Sequence, residues 1–305
     1  MKILVTGSSG TIGTRLCEKL LSAGHEVVGA DWEPCKWNTD VEALRIDIDL
    51  RHAEELKKLP TDVDLIIHLA ANARVYELVE HPERAIDNFI DTFNILEFAR
   101  KNDIKKMMFA SSRETYGNIH LPDGEKYTED KAHFMTCESP YTASKIGGEA
   151  LFEAYKRCYG IDTIIFRFSN VYGMYDDSIR VVPLFYRQAK AGELLKVFGK
   201  EKCLDFTYID DCVDGIILSI DNFESAKNET YNLAFVDGTT IMHLAEQIVE
   251  LLGSSSKIET TSSRTGEVTH YIADISKAKK AVGYSPKTNF EDGIRLSMEW
   301  YKANT

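Results

Sequence analysis

Residues 6–13 read Thr-Gly-Ser-Ser-Gly-Thr-Ile-Gly, with Gly7, Gly10 and Gly13 set three residues apart between a short apolar run and an amphipathic segment. Glycine at this spacing lets a backbone turn tightly and approach a pyrophosphate closely. A helix that starts inside the loop, at Gly10, Thr11, Ile12 and Gly13, turns its unpaired N–H groups and positive dipole end toward an anion. Such a loop needs a strand before it and a helix after it, which is the first crossover of a parallel sheet.

The rest of the chain keeps that rhythm for about 170 residues. Ile3–Val5, Val27–Ala30, Leu65–Leu69, Met107–Ala110 and Thr163–Phe168 read as strands, apolar along their length rather than alternating, as in a sheet buried on both faces. Thr11–Ala23, His81–Lys101 and Pro140–Tyr159 carry helical spacing. The expected fold class is α/β: a doubly wound parallel sheet in residues 1–168, rejoined by segments near 205–235. Residues 169–305 form mainly a smaller ligand-binding lobe. Helices are expected there at Val181–Ala191, Asp210–Asp221, Thr239–Leu252, Asp274–Val282 and Phe290–Lys302, with Thr260–Ser263 as a loop.

Composition excludes several functions. The 305 residues carry 36 Lys+Arg against 48 Asp+Glu, a net charge of −12, which argues against a nucleic-acid surface. No window approaches the roughly 18 consecutive apolar residues of a membrane span. The six cysteines are scattered without a C-x-x-C pair, and the eight histidines show no metal-ligand spacing. A cytoplasmic protein with reduced, mostly buried thiols and no metal is expected.

The second strand ends at Asp31, 18 residues past Gly13. A carboxylate there accepts hydrogen bonds from an adenosine 2′-OH and repels a 2′-phosphate, so NAD is favoured over NADP. Asp47-Ile48, at the end of the third strand, either holds the adenine edge or caps the next helix. Ser111-Ser112 ends another strand, and Tyr141 and Lys145 stand in Y-x-x-x-K, one helical turn apart. An ammonium beside a phenol lowers the phenol pKa from its usual value of about 10 and makes it a general base. Ser112 can hydrogen-bond the same substrate oxygen.

In this order the motifs resemble those of the extended short-chain dehydrogenase/reductases, the NAD-dependent sugar epimerase/dehydratase family with its Rossmann-type domain. The UDP-glucose/UDP-galactose 4-epimerase branch is the most similar. The resemblance runs nearly end to end: the Gly7–Gly13 loop, His68-Leu69-Ala70-Ala71, Asn88, Ser111-Ser112 with Tyr116-Gly117, Tyr141/Lys145, Arg167-Phe168-Ser169-Asn170-Val171-Tyr172-Gly173, Asp205-Phe206-Thr207-Tyr208, Arg264-Thr265-Gly266-Glu267 and Ala273-Asp274.

The resemblance implies cofactor contacts from Leu69, Ala70, Ala71, Asn88, Ser111 and Phe168 as well. It implies a nucleotide-diphosphate sugar held by Asn170 and Arg264, with Arg113 nearby and Tyr271 bordering the base and ribose. Val181 and Phe198 either join that border or are ordinary core. Tyr141 would take the proton of the sugar 4-OH, Lys145 would orient the nicotinamide ribose, and Ser112 would hold the 4-oxygen. Two departures stand out. Leu204 occupies a position that is commonly Arg in the family, with Lys202 two residues away. Arg113-Glu114 replaces small residues, and related 4,6-dehydratases and UDP-glucuronate decarboxylases carry a glutamate like Glu114 as a catalytic group. Arg113 does not deprotonate and cannot serve as the acid of a dehydratase. Glu114 is therefore either a second catalytic group or half of a structural ion pair. A non-catalytic NAD sensor on the same fold is the remaining alternative, against which Tyr141 and Lys145 count. The family resemblance also implies a homodimer, paired through Asp87–Lys101 and Ser144–Tyr159 in a four-helix bundle.

Overall fold

The computed structural model describes residues 1–305. The first half runs β1 (Lys2–Thr6), α1 (Thr11–Ser22), β2 (Glu26–Asp31), α2 (Thr39–Ala43), β3 (Arg45–Asp47), β4 (Leu65–His68), α3 (Val75–Glu80), α4 (Glu83–Lys101), β5 (Lys106–Ser112), α5 (Pro140–Tyr159) and β6 (Asp162–Phe168). The second half runs β7 (Asn170–Tyr172), α6 (Val181–Ala191), β8 (Leu195–Phe198), β9 (Cys203–Tyr208), α7 (Ile209–Asp221), α8 (Phe223–Ala226), β10 (Glu229–Leu233), β11 (Gly238–Thr240), α9 (Ile241–Leu252), β12 (Ile258–Thr261), β13 (His270–Tyr271), α10 (Ser276–Val282) and α11 (Phe290–Asn304). No helix is long and apolar enough to cross a membrane.

Seven parallel strands form the main sheet in the order β10-β6-β5-β4-β1-β2-β3, with helices on both faces: a Rossmann-type doubly wound fold. The order reverses at β1, where β4 lies on one side and β2 on the other, so the crevice for a dinucleotide opens at the carboxyl end of β1. A smaller sheet, β11-β9-β13 with β7 added on β9, and the β8–β12 pair face that crevice. The stretch 205–235 divides between the two. β9 is central to the small sheet, while β10 pairs with β6 and α7 packs on α1, where Arg15 meets Asp210 and Lys19 meets Asp214.

Two local expectations are corrected. The helix expected over His81–Lys101 forms as α4 from Glu83 with Pro82 at its N-cap, and the short α3 before it was not anticipated. Residues 258–261 are a strand, made regular by pairing with β8 rather than by their own propensity. Only Cys17, Cys35 and Cys212 are buried; Cys137 and Cys158 are exposed.

Helix α5 is pressed onto the sheet at Gly148, where a Cβ would lie 2.5 Å from Phe109 Cζ, and Phe109 stacks between His68 and Phe152. A largely enclosed ion pair fixes the helix at the next residue, Glu149. The Arg167 guanidinium of β6 makes two bonds to Glu149 of α5, of 2.9 and 2.7 Å. Arg167 also donates to the Glu129 carbonyl and the Tyr116 hydroxyl, and Glu149 accepts a hydrogen bond from the Ser111 hydroxyl. Removing one partner strands the other in the interior. Arg167→Met is expected to cost about 3–5 kcal/mol by urea denaturation, and the double replacement Arg167→Met/Glu149→Leu much less. Equal losses in the two variants would show that the pair is not what anchors α5.

Candidate active site

The crevice between the main sheet and the small lobe is a cavity of about 1000 Å³. Its floor is the glycine loop. Gly7 has φ +71°, and a Cβ there would lie 2.7 Å from the Ala70 nitrogen; a Cβ on Gly13 would lie 2.0 Å from the Gly7 carbonyl oxygen. Gly10, Thr11, Ile12 and Gly13 line the cavity at the start of α1, whose cap carries no side-chain acceptor, so the terminal N–H groups stay available to an anion. Asp31 lines the same wall. Its carboxylate accepts the Ser9 N–H and the Glu33 N–H, both at 2.9 Å, which holds the loop and leaves lone pairs for a diol. Burial raises its pKa against those two bonds. Arg45 is nearby but tied to Glu42, so no free cation faces Asp31 to favour a 2′-phosphate. Ile48, Leu69, Ala70, Ala71, Ser111 and Phe168 complete the cofactor side. The glycine cradle, the helix terminus and the acidic ribose position fit NAD.

Two residues expected at the cofactor stand elsewhere. The Asp47 side chain is 78% exposed and turned to Arg45, because its position on edge strand β3 points it outward. Asn88 lies behind the wall. It bonds both backbone groups of Asn72 and the Ser144 hydroxyl, so it fixes the 70–72 loop to α5 rather than facing the cavity.

Ser139 caps α5 and Pro140 occupies its first turn, so the helix starts sharply with Tyr141 and Lys145 on the cavity side. Lys145 donates to the Ala110 carbonyl at 2.7 Å and lies 5.9 Å from the Tyr141 ring centroid. Ser112, at the end of β5, lines the same cavity as Tyr141, and its hydroxyl favours the phenolate. The expectation that Lys145 lowers the Tyr141 pKa is corrected for the cofactor-free protein. Burial dominates and raises it, and the opposing effects come from the Ser112 hydrogen bond and the charges of Arg180 and Arg113. Burial likewise pushes Lys145 down to about 8, against the charges of Asp91 and Glu149.

The opposite wall belongs to the lobe. Arg113 Nη2 donates to Asn170 Oδ1 at 3.1 Å and to Glu114 Oε1 at 2.8 Å. Glu114 is 3% exposed, accepts the Val268 N–H at 3.4 Å, and is raised by burial. Leu204 lines the wall beside Lys202, whose ammonium is held by Glu267 at 2.9 Å. Arg264 lies 4.0 Å from the Phe198 ring centroid and 4.7 Å from that of Tyr76, with Val181 on the same wall. Its guanidinium faces are stacked and its N–H edge has no acid partner. Tyr271 is corrected: it is fully buried under the lobe, stacked with Tyr116 and Tyr127, because strand β13 turns it inward. Sequence reasoning missed Tyr76 and Arg180, which belong to no motif and reach the cavity only through the packing of α3 and the start of α6.

Fold and cavity together define a dinucleotide-binding α/β protein with a Ser–Tyr–Lys constellation facing a second ligand lobe. Residues 3–234 match the NAD dependent epimerase/dehydratase family. A dTDP-glucose 4,6-dehydratase of Shigella flexneri is 32% identical, with 100% of this chain and 94% of the relative aligned. The UDP-glucose 4-epimerase of Thermotoga maritima, solved with UDP-glucose, superposes with a TM-score of 0.88 at 29% identity, covering 99% of each chain. The UDP-glucuronic acid 4-epimerase of Bacillus cereus, solved with UDP-glucuronic acid and NAD, superposes with a TM-score of 0.90 at 27% identity over 100% of each. The chain belongs to the NAD-dependent epimerase/dehydratase family, a family of nucleotide-sugar enzymes, and NAD is its cofactor.

The buried Lys145 gives a pH signature. Its folded pKa, about 8, lies below the unfolded value, so between pH 8 and 10.5 the unfolded chain binds the extra proton. Charged burial costs stability below pH 8, and that cost fades as pH rises. Lys145→Met is expected to be more stable than the parent at pH 7 by a margin that shrinks toward pH 10, read by urea denaturation of the cofactor-free protein. A pH-independent margin would contradict it.

Proposed function

We propose that the protein is a nucleotide-sugar 4-epimerase of the UDP-glucose/UDP-galactose type. Bound NAD supplies the hydride acceptor and donor at C4. Tyr141 takes and returns the proton of the sugar 4-oxygen, and Ser112 beside it holds that oxygen through the 4-keto stage. Lys145 orients the nicotinamide ribose from beneath. Asn170 and the stacked Arg264 meet the diphosphate, Arg264 with its unpaired N–H edge. That grip holds the keto sugar while it turns its other face.

The observation that carries the epimerase reading over its relatives is the state of Glu114. Its carboxylate is withdrawn into a bond with Arg113 and the Val268 N–H, in a charged pair that burial makes costly to break. A base for C5 needs that carboxylate free. Glu114 nonetheless lines the cavity, so a 4,6-dehydratase or decarboxylase is the second reading. Incubation with a panel of nucleotide sugars in D₂O, followed by NMR, separates them. The expected product is inverted at C4 without deuterium at C5; a 4-keto-6-deoxy sugar carrying solvent deuterium sinks the epimerase. Tyr141→Phe is expected to lower turnover by about 10²–10⁴-fold while NAD content is unchanged.

We also propose a homodimer through α4 and α5. Ile86 is 62% exposed and Phe93 44%, and Phe89 and Ile90 expose the same face of α4 beside Gly147 of α5. Such a stripe on an isolated chain is an unpaired apolar surface. Phe89→Glu/Phe93→Glu is expected to give monomers by light scattering where the parent gives dimers.

A further inference from the structure

Two segments meet beside the start of α1. Residues 32–38 lead from β2 to α2, and residues 173–180 lead from β7 to α6. Lys36 and Trp37 of the first and Tyr175 and Asp177 of the second line the cavity. They are joined in three ways. Lys36 Nζ reaches Asp177 Oδ2 at 2.9 Å. Trp300 of α11 packs edge-on with both Trp37 and Tyr175, with ring centroids 5.0 and 5.5 Å apart. The Glu18 carboxylate of α1 accepts the Tyr175 hydroxyl at 3.2 Å and the Asn38 amide at 3.3 Å, so one acid gathers both segments.

The second segment is also strained. Tyr175 has φ +67°, a left-handed conformation that a non-glycine residue keeps only where its surroundings impose it. Here the Tyr175 carbonyl takes the Thr11 hydroxyl at 3.3 Å, its hydroxyl is held by Glu18, and its ring by Trp300. The bridge therefore has one foot on Thr11, in the glycine loop that offers N–H groups to a pyrophosphate. Its other foot follows Asp31, the ribose position. We propose that this bridge is the gate of the cofactor site: NAD enters and leaves when residues 32–38 part from residues 173–180. The Lys36 and Asp177 side chains are 61% and 46% exposed, and an exposed pair of this kind breaks readily. Opening releases the strain at Tyr175, and both segments are loops, so no helix or strand has to unfold. The gate concerns cofactor exchange and stands whichever sugar the lobe takes.

The test is stopped-flow exchange on the full chain, followed by nicotinamide fluorescence. Mixing cofactor-free protein with NADH gives capture, and displacing bound NADH with excess NAD gives release. Asp177→Lys sets two ammonium groups against each other and is expected to speed capture and release alike by about three- to tenfold, the scale of one exposed pair and its reversal. A gate leaves the equilibrium nearly untouched, so Kd is expected to stay within about twofold. Lys36→Glu/Asp177→Lys restores the pair with its charges exchanged and keeps the net charge of the parent. It is expected to return both rates toward the parent, which separates gating from attraction of an anionic dinucleotide. Tyr175→Phe keeps the ring, loses the bond to Glu18, and is expected to speed both rates by about tenfold. Faster release without faster capture would make these residues cofactor contacts and overturns the proposal. So do parental rates in both Asp177→Lys and Tyr175→Phe, or a charge-exchanged variant as fast as Asp177→Lys.

Discussion

The Arg167–Glu149 pair is the interaction on which the geometry of the site rests. Glu149 lies one turn beyond Lys145 on α5, and Arg167 sits in β6, the neighbour of β5. Because Glu149 also holds the Ser111 hydroxyl, one carboxylate ties the helix that carries Tyr141 and Lys145 to the strand that ends in Ser112. Arg167 extends the tie to Tyr116, which is bonded in turn to Asn232 of β10 at 2.6 Å. Three strands and one helix are thus referenced to a single bidentate contact, and bidentate geometry fixes angle as well as distance.

Around that anchor the protein keeps groups that cost stability. Lys145 is charged and fully enclosed, with one carbonyl as its direct partner. Asp91 has no partner. Arg113 leaves its Nη1 unsatisfied. All three line the same cavity, while equally buried charges elsewhere are satisfied. Asp205 shows the contrast: it is completely enclosed, yet accepts the N–H groups of Phe235 and Val236 at 2.9 and 2.8 Å, and so clamps the link between β10 and β11 to β9. Asp211 does the same for Lys287 and Thr288. Asp205 belongs to a segment that the family resemblance marks, and both acids act as backbone clamps.

The lobe wall of the cavity carries its charges in balanced pairs. Arg113 is balanced by Glu114, and Lys202 by Glu267, so two cations and two anions face the ligand without net charge. The overall −12 is a property of the outer surface and is unrelated to this balance. The α1 terminus leaves free N–H groups, and the stacked Arg264 an unpaired N–H edge, at the cavity.

The parallel sheet, the glycine cradle, the acidic ribose position and the Tyr141/Lys145 helix were legible in the sequence, because each follows from local rules: apolar runs, glycine spacing, and one helical turn. The same rules did not single out the short α3 before Pro82, or show that residues 258–261 become a strand by finding β8. Side-chain direction was the larger gap. Tyr271 and Asp47 sit in the expected motifs but point away from the cavity, since a strand sends alternate residues to opposite faces and only pairing decides which. Tyr175 carries no motif. Its place depends on how the loop after β7 lies against α1. The sequence by itself determined which chemistry the chain can do; the tertiary structure decided which of those groups face the ligand and which hold the wall, because burial and partners are properties of the packed chain and not of its order.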